Sequence, residues 1–175
     1  DGMIYICTPN DHVNADFSMR IFNADGSEAK MCGNGIRCVG KYLYDKGLTD
    51  KTSLAIQTLS GVRRLGLQVE DGMVTSATVG MGVVVVGDDV ELGLDDVVLT
   101  CTPVDVGNPH AVAFVADAEA APVGELGPSV EKHEAFPGGV NVEFVQVLGE
   151  RELRMRVWER GSGITMACGT GACAA

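Results

Sequence analysis

MCGNGIRC, residues 31 to 38, and ACGTGAC, residues 167 to 173, decide how the rest of the chain is read. Each sets a cysteine directly before Gly-X-Gly and a second cysteine a few residues on. Upstream of the first, DFSMRIFN alternates Phe17, Met19 and Ile21 with Ser18 and Arg20, the period of a half-buried strand, and Asp25-Gly26-Ser27 supplies a turn. Downstream, Ile36, Val39 and Leu43 recur at helical spacing, and Gly47 stands where a helix would end. The first cysteine motif therefore opens a helix.

Further along, SLAIQT, VRRLGLQVE and MVTSATVGM form an antiparallel meander broken by Gly61, Asp71-Gly72 and Gly82. The acidic, glycine-containing stretch from Gly87 to Asp96 reads as a link between halves. Beyond it come strands at VVLTC and HAVAFV, a short helix through SVEKHEAF, and strands at VNVEFVQVL and RELRMRVWE, then a glycine loop and the second cysteine motif. Both halves run strands into a polar loop, Cys-Gly-X-Gly and a helix start, the trace of a duplicated domain. The expected boundaries are residues 1–86 and 87–175. The chain opens on Asp1-Gly2 directly before a strand-like run and stops at Ala174-Ala175 as a helix begins, so further segments are expected beyond both ends.

Glycines after a cysteine let backbone N–H groups approach a ligand closely, and the first turn of a helix leaves several of them without internal partners. An anion such as a carboxylate suits that cradle. The same field favours a thiolate over a thiol, so both motif cysteines are expected to ionise more readily than a free cysteine. Two such sulfurs on opposite faces of one carbon, one thiolate and one thiol, can remove a proton from one face and return one to the other, which inverts a stereocentre. Taken singly a cysteine is more often a small core residue. Cys7, Cys38, Cys101 and Cys173 are placed in that class.

Zinc would want close pairs such as C-x-x-C, and none is present, so no metal site is expected. Neither a dinucleotide loop nor a P-loop pattern occurs. A redox pair closing a disulfide is the more serious alternative. The 175 residues carry 24 acidic against 13 basic side chains, a formal charge of −11, and no Lys/Arg cluster, which disfavours nucleic acid as a partner. The longest apolar run, Val83 to Val86, is far short of a membrane span, so no membrane partner is expected. Scattered cysteines fit a reducing cytoplasm better than an oxidising compartment.

With both motifs in hand, the chain resembles the diaminopimelate epimerases, through FNADGSEAKMCGNGIRC, VGNPHAV, FPGGVNVEFV and WERGSGITMACGTGACA in family order. The resemblance implies an α+β fold of two pseudo-symmetric domains, each a mostly antiparallel, barrel-like sheet around a central helix. It implies cofactor-independent epimerisation of LL-2,6-diaminopimelate to the meso isomer in lysine and peptidoglycan precursor synthesis, a small-molecule substrate, and room for a homodimer. By position it makes Cys32 and Cys168 the acid/base pair. Gly33, Asn34, Gly169 and Thr170 would hold the α-carboxylate through their backbone. Asn23, Asn108, Asn141 and Arg160 would grip the distal end, Glu159 the amino group, and His110 and Glu159 would adjust the thiols. An upstream Gly-Asn-Asp-Phe segment usual in the family is absent, Ile164 stands where Glu or another residue is expected, and Val83 stands where proline is common. A proline or hydroxyproline racemase, which usually carries histidine where Asn34 sits, is the nearest rival. A catalytically silent redox or binding fragment is the alternative from another class.

Overall fold

A computed structural model describes residues 2–23, 26–94 and 97–175. The chain divides into two compact units, Asp1–Gly82 and Val83–Ala175. In the first, β1 (Gly2–Cys7), β2 (Phe17–Asn23), β4 (Ser53–Thr58), β5 (Gly61–Glu70) and β6 (Met73–Val79) form one sheet in that order, and the short β3 (Glu28–Ala29) pairs with β2. All pairings are antiparallel except β2 with β4, between which the chain passes through helix α1 (Gly33–Asp45).

Helix α1 buries Ile36, Val39, Gly40 and Leu43, the stripe that the sequence spacing predicts, against β5 and β6. A Cβ on Gly40 would stand 2.8 Å from a Leu65 methyl, so glycine permits the close approach of helix to sheet. The helix ends as expected at Gly47, whose φ of +68° turns the chain. Gly47 donates to the Tyr44 carbonyl and Leu48 to that of Leu43, which satisfies the last turn in a Schellman arrangement. Ile36, Leu43, Leu54, Ile56 and Leu65 form the dry centre of this core.

The second unit carries a sheet in the order β13 (Gly163–Thr165), β12 (Glu152–Glu159), β11 (Asn141–Gly149), β10 (Pro109–Phe114), β9 (Val97–Asp105) and β7 (Val85–Val86), with β8 (Val90–Leu94) also on β9. Only β10 and β11 run parallel, joined by α2 (Val123–Glu131). Both faces are covered. One packs α2 over Leu92, Ala111, Val142 and Phe144; the other sets Val104, Val112 and Val145 beneath the last residues of α3 (Gly171–Ala174).

Three expectations need correction. The helix read through SVEKHEAF instead spans Val123–Glu131, with Pro128 inside it. Its packing decides the matter, since Gly127 lies so close to Trp158 that a Cβ would meet the ring at 2.6 Å. Val90–Leu94, read as part of an acidic link, is a strand, because Leu92 and Leu94 are buried in the core. Asp25 of the expected turn, and Asp95 and Asp96 of that link, lie outside the described residues. Of the cysteines assigned to cores, only Cys101 is buried, whereas Cys7, Cys38 and Cys173 are exposed. Cys38 follows the exposed Arg37 on the outer side of α1. Among the described residues, no helix is long and apolar enough to cross a membrane.

Burial pushes the Cys101 thiol up to about 11, with Asp89 adding to the effect. The unfolded thiol ionises near 9.0, so the stabilisation is full below that pH and is lost as pH rises towards 11. The difference corresponds to roughly 3 kcal/mol. Urea titrations at pH 8 and pH 11 are expected to show a larger alkaline loss for the native chain than for Cys101→Ala, and equal losses would contradict this origin.

Candidate active site

The two cysteine motifs make the same pair of hydrogen bonds. Cys32 caps α1 with an extended backbone, and its Sγ accepts the Gly35 N–H at 3.3 Å while its carbonyl accepts from Ile36 at 3.0 Å. Cys168 Sγ accepts the Gly171 N–H at 3.3 Å, and its carbonyl accepts from Ala172 at 3.0 Å. In each, the sulfur takes one donor of the first turn. The N–H groups of Gly33 and Asn34 lie in the first turn of α1, where helical carbonyl partners are lacking, and Gly169 and Thr170 form the turn that leads into α3, an arrangement suited to a carboxylate.

The strands that lead into the motifs also correspond. Ile21 and Phe22 of β2 pair with Ala29 and Glu28 of β3; Val157 and Trp158 of β12 pair with Thr165 and Ile164 of β13. Ala29 and Thr165 each stand three residues before their cysteine. The register makes Asn23 and Glu159 equivalent, each two residues beyond an inward-facing Ile21 or Val157 and therefore on the same face as its motif. The duplication legible in the sequence is thus a duplication of hydrogen-bond register.

Alternation along the second sheet gathers the expected residues on one face. His110 pairs with Asn141 across the parallel strands, and Glu143 follows two residues later, so all three point to the side covered by α3. Asn108 Nδ2 donates to Thr170 Oγ1 at 3.2 Å, and Thr170 Oγ1 lies 3.4 Å from Cys168 Sγ. Asn141 is engaged at both ends of its amide: Nδ2 donates to the Pro109 carbonyl at 3.1 Å and Oδ1 accepts the Arg160 N–H at 2.9 Å. It fixes the start of the Arg160 turn. Arg160 Nη1 donates to the Gly138 carbonyl at 2.9 Å, and Glu159 Oε1 accepts from the Thr165 hydroxyl at 2.5 Å. In the first unit Asn23 Nδ2 donates to Ser27 Oγ at 3.0 Å, and Asn34 Oδ1 accepts from Arg37.

Electrostatics depart from expectation at Cys168. Burial pushes its thiol up; the Thr170 hydroxyl and the Gly171 N–H pull it back, and the Glu159 and Glu143 charges raise it further. Desolvation outweighs the donors of the turn. One residue of the site was missed by sequence reasoning. Glu143 is fully buried, and its Oε1 lies 2.7 Å from His110 Nδ1, whose side chain is also fully buried. The available signal was a carboxylate at the centre of the apolar strand VNVEFV. Among the described residues, no cluster of His, Cys, Asp or Glu could hold a metal.

Comparison with known proteins identifies the family of the chain. The family model described as diaminopimelate epimerase matches residues 1–86 and 102–175. The diaminopimelate epimerase of Bacteroides thetaiotaomicron is 54% identical over 174 residues, covering 99% of this chain and 64% of that protein. That of Bacillus subtilis is 51% identical over 189 residues, covering 100% of this chain and 66% of that protein. The chain thus spans a little under two thirds of these relatives. Among solved structures, a hydroxyproline epimerase from Agrobacterium vitis superposes with a TM-score of 0.81 at 20% identity, covering 99% of this chain and 58% of that one. A PhzF-family phenazine biosynthesis protein of Bacillus anthracis gives 0.70 at 19%, covering 99% and 63%. These two show the α+β fold of curled sheets with few helices. Paired cysteine turns in one shared register, matched by relatives that are half identical across the whole chain, make this chain a member of the diaminopimelate epimerase family.

Proposed function

We propose that the protein carrying this chain epimerises LL-2,6-diaminopimelate to the meso isomer by proton transfer between two cysteines, without a cofactor, in lysine and peptidoglycan precursor synthesis. The observation that carries this reading is the repetition of one turn: a cysteine sulfur beside first-turn N–H groups, built twice in the same register. Each turn offers half of what inversion requires. In the proposed reaction one sulfur, as thiolate, takes the α-proton while the other, as thiol, delivers a proton to the opposite face. The N–H groups of Gly33, Asn34, Gly169 and Thr170 hold the α-carboxylate, whose acceptance of negative charge eases departure of the proton. Glu159 meets the amino group. Asn23, Asn108 and Arg160 reach the distal end, with Asn141 acting through the Arg160 backbone that it holds. The reaction is placed in the cytoplasm, and a homodimer is its proposed assembly.

Incubation of the full-length protein with each isomer in deuterated water tests the reaction. Deuterium is expected at the α-carbon, together with interconversion of the LL and meso forms. No exchange with either isomer would refute the reading. Because one proton must be held between two sulfurs, both its loss and the gain of a second should stop turnover. A bell-shaped dependence of kcat/KM on pH is expected, and a flat profile from about pH 6 to 10 would contradict the two-thiol scheme.

A further inference from the structure

Glu143 has no place in the scheme above, yet it is the most deeply buried acid among the described residues and touches the second motif directly. An ideal Cβ on Gly171 would fall 2.5 Å from Glu143 Oε1 and 3.1 Å from its Cδ and Cγ. The carboxylate therefore fills the space beneath the turn whose N–H is given to Cys168. The same oxygen meets His110 Nδ1 at 2.7 Å. His110 Nε2 and Glu143 Oε2 are buried without a hydrogen-bond partner.

The duplication supplies an internal control. Glu143 pairs with Val157 on β12, and Ile4 pairs with Ile21 on β2, the equivalent position. A Cβ on Gly35, the counterpart of Gly171, would meet an Ile4 methyl at 2.8 Å. Both register and contact thus place Ile4 where the second unit has Glu143. Packing under the turn needs no carboxylate, because an aliphatic side chain serves in the first unit. A buried acid is costly unless it is paired, so its presence on one side calls for another reason.

We propose that Glu143 is a positioning residue of the second cysteine motif: its buried carboxylate fixes His110 in the tautomer with the proton on Nδ1, and it brings negative charge to the underside of the turn that holds Cys168. The charge opposes ionisation of Cys168, so that this sulfur keeps its proton at rest. His110 then keeps an open lone pair at Nε2. The groups facing Glu143 are His110 from β10, Glu159 from β12 and the Cys168–Gly171 turn. Burial and the Glu159 charge push the Glu143 carboxyl up, and the contact with His110 pulls it back down. The first motif has Ile4 in place of the acid, so Glu143 adds to a difference between the two sulfurs that burial of Cys168 and the Glu159 charge already make.

The inference rests on the proposed reaction only in its kinetic arm, so the decisive test needs no substrate. Glu143→Gln keeps the shape and removes the charge. Alkylation of Cys168 by iodoacetamide, followed by peptide mass spectrometry against pH on the full-length protein, is expected to quicken about three- to tenfold at pH 7.5 in the variant, since one pKa unit changes the thiolate fraction nearly tenfold. Cys32 should change by less than about twofold in the same samples, because Ile4 stands in place of the acid there. Imidazole nitrogen-15 shifts should report Nδ1 protonation of neutral His110 in the native protein and a mixture of tautomers in the variant. Where turnover is present, kcat should fall about tenfold with KM little changed, and the alkaline limb of the profile should move to lower pH. Should Cys168 alkylate at an unchanged or slower rate, or His110 already carry its proton on Nε2 in the native protein, the proposal is overturned. A lower Tm with unmoved alkylation and unmoved imidazole shifts would leave Glu143 a packing residue, and would also overturn it. Absence of turnover in the native protein would count against the reaction and leave both spectroscopic arms to decide on Glu143.

Discussion

Replacing either motif cysteine by serine, Cys32→Ser or Cys168→Ser, is expected to lower interconversion of the isomers by about 10²–10⁴-fold, the range over which a positioned acid or base contributes. Serine retains an atom that can accept the Gly35 or Gly171 N–H, so the turn should persist and the loss should appear in kcat rather than KM. Its hydroxyl ionises far above neutrality and cannot act as the base. The two variants should differ in kind when α-proton exchange is followed separately from inversion. With one sulfur missing, a proton can still be taken from one face and returned to the same face, which allows exchange without inversion. Each variant should therefore keep more exchange with one isomer than with the other, and with opposite preferences. Exchange retained at the native level in both would refute a two-cysteine mechanism. Equal residual exchange with both isomers would point to a single base reaching both faces.

The parts of this arrangement that were legible in the sequence are those governed by local rules. MCGNGIRC and ACGTGAC announced cysteines at helix starts because Gly-X-Gly and the following apolar spacing depend only on neighbouring residues. The stripe Ile36, Val39 and Leu43, and Gly47 as the terminator, follow in the same way. The equivalence of Asn23 and Glu159 was not legible, since it requires the pairing register of β2 with β3 and of β12 with β13. Glu143 was hidden for a different reason. Alternation in VNVEFV marks two faces, and a polar residue on one of them ordinarily means water. Here both faces are covered, one by α2 and the other by α3, so alternation separates two interiors instead of inside from outside. The helix read through SVEKHEAF was placed too late because the contact of Gly127 with Trp158, which holds the turns around Pro128 in place, is a tertiary one. The lowered thiol expected at Cys168 failed because the donors at a turn are visible in sequence and the burial of the sulfur is not.

Gly171→Ala is expected to be the most damaging single methyl that the site can receive, with a loss of about 3 kcal/mol or more in stability. Overpacking alone costs roughly 1–3 kcal/mol, and leaving a buried carboxylate without its hydrogen-bond donor costs about 1–3 kcal/mol or more. Both apply, because the added Cβ falls on Glu143 Oε1 at 2.5 Å and that oxygen is held by His110 at 2.7 Å. A flexible side chain end would ordinarily swing aside. Glu143 is fully buried and has no empty direction to take, so either the pair separates or α3 lifts from β11. Lifting α3 moves the N–H that Cys168 receives, and activity should fall with stability. Gly35→Ala makes the comparison within one molecule. Its Cβ meets an Ile4 methyl at 2.8 Å, but Ile4 is partly exposed and carries no partner charge, so a rotamer change can relieve the contact. Stability loss there should stay under about 1.5 kcal/mol. Urea unfolding of both variants, with imidazole nitrogen-15 shifts recorded for Gly171→Ala, checks the argument. Equal losses at the two glycines would mean that the buried pair adds nothing to the second turn. A small loss at Gly171 with His110 shifts unchanged would show that the carboxylate can yield without leaving its partner.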